Sequence, residues 1–354
     1  MRRKVPDREK MAGIKALILS VALPATIFIA LLKIELTASL LTLPLLALLL
    51  NGVLFGSTWF AMPCFGVSQH SNEGRTLLML IPSLAPGISC FPFVIEYMND
   101  EALAWAALTD LGNKIFVLIL LYILALYWYQ QLYRATTRQT GKGRALIKAM
   151  VQEPVNLVLF AGVLLILFGF NLGSLPLFIQ DTLLRLSNMM TPMVLLFIGI
   201  AVLIRAGDLR LILTALSWKA GVALKASALL LFLFPTAPHA LLIVIFPLSA
   251  CSFWPYAHMC AINKLSSEDE QTQVFDLNLA LSTLALSLPL STVLILLACT
   301  FETFFVDPLN AFGVGTVFMA IAWAPSFWQR LRRFTAFRVM QTDTRVTGAI
   351  SKSQ

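Results

Sequence analysis

The chain is 354 residues long, 58% hydrophobic and 12% charged, with a mean hydropathy of +0.83. Soluble domains carry about twice that share of charge, so a water-soluble fold is excluded. The formal charge of +8 falls between apolar runs, which reads as membrane topology and not as a nucleic-acid-binding face.

After a basic N-terminus at 1–13 come apolar runs of the length that a bilayer about 30 Å thick demands. They predict ten helices, at 14–33, 38–61, 76–98, 102–128, 155–170, 181–204, 211–234, 240–262, 274–300 and 310–328. The first run has no small-residue cleavage site behind it and reads as a retained helix. Continuous apolarity over such lengths also excludes the short alternating strands of a membrane β-barrel. With the N-terminus inside, most Lys and Arg residues fall on one side of the membrane, in 1–13, in the loop 129–153 and in the tail 329–354. That asymmetry predicts a multi-pass protein of the cell membrane with both termini cytoplasmic.

Compared with itself at an offset near 165 residues, the chain aligns Pro24 with Pro192, Pro82 and Pro92 with Pro247 and Pro255, and Asp110 and Asn113 with Asp276 and Asn278. Equivalent helices then lie five spans apart and oppositely oriented, the pattern of an inverted repeat. The expected organisation is a first repeat of four helices at 14–128, a second of five at 154–300, and an extra C-terminal helix at 301–328. The first repeat is one helix short, and the sequence leaves open whether the extra helix takes the vacant place.

The third and eighth spans carry internal prolines, in Ile81-Pro-Ser-Leu-Ala-Pro-Gly-Ile-Ser-Cys-Phe-Pro92 and Phe246-Pro-Leu-Ser-Ala-Cys-Ser-Phe-Trp-Pro255. Each proline removes a donor and clashes with the preceding turn, so both helices are expected to break within the membrane. Paired interruptions at matching positions of two repeats point to a substrate site at the midplane. Ser83, Pro86, Gly87, Ser89, Pro92, Ser249, Cys251, Ser252 and Pro255 are the candidate pocket residues, with Asn113 beside them. The competing reading has the serines bonding their own helices.

Ionisable groups at membrane depth cost free energy and are functional candidates. Asp110 and Lys114, one turn apart, either serve coupling or neutralise one another. Lys225, placed near the midplane, is expected to balance a substrate carboxylate or to pair with Asp276 or Glu96, while Lys219 snorkels to the surface. His258 is either a proton shuttle or a structural histidine. Walker, HExxH, GxSxG and Rossmann patterns are absent, and the five cysteines form no metal-spaced pairs. No enzyme activity, cofactor, metal or ATP coupling is expected.

Several segments resemble the auxin efflux carrier family of permeases, which belongs with the bile acid symporters in a wider transporter superfamily. They are Val21-Ala-Leu-Pro24-Ala-Thr-Ile-Phe28, the broken run followed by Asp110-Leu-Gly-Asn113, Glu153-Pro154, Asn188-Met-Met-Thr-Pro192, and Phe246-Pro247 leading to Leu281-Ser-Thr283. The resemblance implies two inverted five-helix repeats, proline-broken crossover helices beside the substrate, and organic anions as cargo. The chain departs from it at Leu84-Ala-Pro-Gly87, where the family commonly has Gly-Asn-Thr-Gly, and at Cys251, where an asparagine is expected. Lys225 matches a cation often found in the corresponding helix of the family. The expected function is gradient-driven or facilitative export of a small organic anion, the alternative being a non-transporting receptor-like or assembly protein on the same fold. The expected partners are the anion, the lipid bilayer, a coupling H+ or Na+, and a second copy in a homodimer, with no nucleic acid.

Overall fold

A computed structural model describes residues 13–32 except 15, then 42–136, 161, 164–165, 168–201, 206–235, 239–265 and 273–324. The described residues are 85% helical, with no strand among them, and the architecture is all-α. Among the described residues four helices are long and apolar enough to cross a membrane: Thr42–Phe65, Glu101–Leu132, Gly207–Leu233 and Leu277–Thr300. Most of the span expected at 155–170, the tail 329–354 and nearly all of 1–13 lie outside the described residues.

The first helix opens with a π turn, Ile18–Ala22, and continues as α1, Leu23–Leu32. Next come α2, Thr42–Phe65, and a helix in three pieces: α3, Asn72–Leu80; α4, Pro86–Ser89; and α5, Phe91–Tyr97. Then α6, Asp100–Ile115, passes through a second π turn, Phe116–Leu120, into α7, Leu121–Thr136. This helix extends past residue 128, so the basic loop begins later than its expected start at 129. The second half contains α8, Leu177–Ala201, and α9, Ala206–Leu233. Another broken helix follows, as α10, Ala240–Ile245, and α11, Trp254–Leu265. The described chain ends with α12, Leu277–Thr300, α13, Glu302–Val306, and α14, Pro308–Ala324.

Helix starts are set by short polar caps, which satisfy amides that have no acceptor one turn back. Ser71 Oγ accepts from Gly74 N at 3.1 Å to start α3, Asn99 from Ala102 N at 2.9 Å to start α6, and Asp276 from Asn278 and Leu279 N to start α12. α1 packs on α8, and α2 lies between α6 and α9. Helices in lipid gain little by hiding apolar surface from one another, so close approach at small residues decides their packing. Gly112 of α6 is pressed on the backbone of α2: a Cβ there would stand 1.9 Å from Pro44 O. Gly112→Ala is therefore expected to cost about 1–3 kcal/mol of stability, read as a lowered unfolding temperature in detergent. An unchanged midpoint would show that α2 and α6 separate freely.

Where α3 begins, three segments are tied together. Buried Arg75 donates through Nε to Val274 O at 2.9 Å, and its guanidinium also reaches Asn72 Oδ1 and His70 O. Asp276 N donates to Thr76 Oγ1 at 2.9 Å. Asn263 clasps Phe275 with both atoms of its amide, at 2.8 and 3.2 Å.

The C-terminal α14 makes its close contacts with α9. A Cβ on Gly221 would stand 2.6 Å from Met319 Cγ and 2.9 Å from Gly315 O, and Trp323 stacks on Trp218 with ring centroids 6.0 Å apart. These contacts seat α14 on α9.

Candidate functional site

The two interrupted helices meet at their breaks. α3 ends at Leu80 and α4 starts at Pro86; α10 ends at Ile245 and α11 starts at Trp254. The irregular residues between them need partners for backbone groups that no helix satisfies, and each break supplies them to the other. Ala85 N donates to Ala250 O at 2.9 Å. Ala250 N donates to Ser89 Oγ at 3.0 Å, and Ser252 N to Ser83 Oγ at 3.1 Å. α12 adds Ser287 Oγ, which accepts from Cys251 N at 3.2 Å, and Ser291 Oγ, which donates to Leu248 O at 2.6 Å.

The serines bond their own segments, and two of them also bond the opposite break. Ser83, Ser89 and Ser249 donate to their own segments, at Leu80 O, Ala85 O and Phe246 O, while Ser83 and Ser89 also accept amides from the opposite break. Ser89→Ala leaves the buried Ala250 amide without an acceptor and is expected to cost about 1–3 kcal/mol. Thermal unfolding of this variant beside Thr58→Ala, whose hydroxyl donates to Leu54 O of its own helix, checks that difference.

Asn113 holds the first break from the side. Its Oδ1 accepts from Leu84 N at 3.2 Å and from Asn51 Nδ2 at 3.1 Å, and its Nδ2 donates to Leu84 O and Asp110 Oδ1, each at 2.9 Å. Asp110 also pairs with Lys114 at 3.0 Å. Asn51 Oδ1 is buried without a hydrogen-bond partner.

The cation at the crossing is Lys219, which is 5% exposed. Its Nζ donates to Ser83 O at 3.0 Å and to Cys251 Sγ at 3.4 Å. No carboxylate among the described residues lies within ion-pair distance of it. It borders a void of about 20 Å³ lined also by Pro247, Ser249, Ser287 and Ser291, room for about one water.

Four sequence expectations need correction here. Lys225 does not pair with Asp276 or Glu96; its ammonium sits 4.6 Å from the centre of the Phe312 ring on α14. Lys219 does not snorkel. The expected seventh span starts at 211, whereas α9 starts at Ala206, which moves the middle of the helix from Lys225 toward Lys219. Asp276 spends its carboxylate on the start of α12 and is not at the crossing. Pro92 and Pro255 are the second residues of α5 and α11, where a ring without an N–H is tolerated. They begin half-helices, and the breaks lie before them.

Pro86 is buried at the start of α4, whereas Gly87 and Pro92 are exposed. His258 lies apart from the crossing residues in its bonding: Nε2 meets Val117 O of the second π turn at 2.9 Å, and its ring packs 5.0 Å from that of Tyr122. A π turn leaves a carbonyl short of helical donors, which gives His258 a structural task. Asn51, Ser287 and Ser291 were not singled out from the sequence. Their one legible signal is a polar residue within an apolar span.

Among the described residues no group of His, Cys, Asp and Glu is arranged to hold a metal, and the five cysteines form no disulfide. Compared with protein-family models and with curated proteins, the chain matches none.

Proposed function

We propose that the chain is a secondary, ATP-independent membrane transporter that exports a small organic anion. It works by alternating access at the crossing of the two broken helices, within a ten-helix inverted repeat whose first copy is one helix short. The observation that carries this reading is Lys219, an ammonium buried beside both breaks with no carboxylate among the described residues within ion-pair distance. A buried cation without a counter-ion is costly, and an anionic cargo that meets it relieves the cost. α11 also starts at the crossing, and the positive end of a helix favours negative charge.

The likeness to auxin efflux carriers supports the same reading, with one change of chemistry. At Cys251, where that family has an asparagine, the polar contact comes from the ammonium of Lys219 at 3.4 Å. The cargo would then be bound by charge more than by an amide. The void of about 20 Å³ is too small for any organic anion, so transport requires the two breaks to part.

That same closure favours a second reading, a membrane protein that keeps the fold without transporting. Flux in proteoliposomes, with a panel of indole acids, dicarboxylates and amino acids, separates the two. Saturable flux of at least one anion is the expected result. Absence of flux for every anion, with the protein folded, would establish the second reading.

A further inference from the structure

A second cavity, of about 650 Å³, lies at the end of the molecule where α2, α6 and α10 begin and α9 finishes. That volume is in the range of ligand pockets. Its wall is apolar, built from residues such as Leu50, Leu230, Leu242 and Phe246, and among the described residues no Lys, Arg, Asp or Glu lines it. Its polar lining includes Thr42, Thr109 and His239, and Glu101 stands beside the last of these. His239, held in the left-handed region at φ 60° and ψ 44°, faces the ring of Trp105 at 5.5 Å, edge to face. Its Nε2 is buried without a hydrogen-bond partner and stands 3.7 Å from Glu101 Oε2, beyond hydrogen-bond reach.

We infer that this cavity binds a lipophilic amine, with the apolar body among the leucines and the ammonium between Glu101, Trp105 and His239. An ammonium has donors for both the carboxylate and a neutral His239 whose proton is on Nδ1, and the indole face attracts cations. A carboxylate head group would meet the like charge of Glu101. An alcohol would satisfy one acceptor without charge assistance. A left-handed backbone at a residue other than glycine costs free energy and is found where the surroundings impose it, frequently at binding sites. This site does not depend on the transport reading, and its test is a binding measurement.

The probes are 2-bromoundecylammonium, 2-bromoundecan-1-ol and 2-bromoundecanoate, which carry the bromine beside the head group, added to the full chain in lipid nanodiscs, with bromine quenching of tryptophan fluorescence as the readout. The chain has seven tryptophans, so the signal from Trp105 is taken as the difference between the unsubstituted chain and Trp105→Phe. The ammonium is expected to reach half-quenching at about fivefold lower membrane concentration than the alcohol, with the carboxylate weakest. Glu101 is 66% exposed at its side chain, so Glu101→Gln should fold normally and bring ammonium and alcohol to within about twofold of each other. Equal quenching by the three head groups, a preference for the carboxylate, or no Trp105-dependent signal would each overturn the inference.

Discussion

Lys219→Met is expected to lower anion flux about a hundredfold while leaving the protein folded. Charge-assisted hydrogen bonds are worth roughly 1.5–3 kcal/mol each, and loss of one such bond, with its charge, from a transported complex gives a change of that order. Methionine fills much of the volume of the lysine stem, and removal of an unpaired buried charge offsets the lost bond to Ser83 O, so the unfolding midpoint should hardly move. Lys225→Met is the comparison. It gives up a contact with the Phe312 ring, about 0.5–1 kcal/mol of stability, and flux should be unaffected. Normal flux through Lys219→Met, or equal loss in the two variants, would remove Lys219 from the cargo site.

Asn113→Leu should have the largest effect on stability, about 3–5 kcal/mol. The substitution strips a buried break of the donor and the acceptor that satisfy Leu84, and it takes a donor from Asp110. Asn51→Leu loses a single bond to Asn113 and removes an unpartnered oxygen, so it should cost about 1 kcal/mol or less. Unfolding in detergent, followed by helical circular dichroism, compares them directly. Equal midpoints would mean that the first break is held by the contacts from Lys219, Ala250 and Ser252 without Asn113.

Much of the architecture was legible because apolar length and proline position act locally. Runs of about twenty apolar residues marked α2, α6 with α7, α9 and α12, and two proline-rich stretches marked the two breaks. The bonding between the breaks was less legible. A proline that ends one helix and a proline that begins the next look alike in sequence, so Pro92 and Pro255 read as interruptions although they start α5 and α11.

The choice between Lys219 and Lys225 depended on where α9 begins. Ala206-Gly-Asp-Leu-Arg210 is too polar to be counted in an apolar run, yet it forms the first turn of that helix. Asn113 was found because it lies beside Asp110 in a conspicuous cluster. Asn51 was not, since a lone amide in an apolar run carries no mark of its partner 62 residues away.

The clasp around 273–276 has a consequence for how the chain breathes. This stretch is not helical, and irregular segments ordinarily exchange their amide protons quickly. Here the Phe275 amide is held by Asn263 and the Asp276 amide by Thr76, and Arg75 locks the neighbouring carbonyl. These two amides should exchange as slowly as those at the centre of α12, becoming free only when α3, α11 and α12 come apart together. The rate of that concerted opening sets a ceiling on how fast this end of the molecule can become accessible to water.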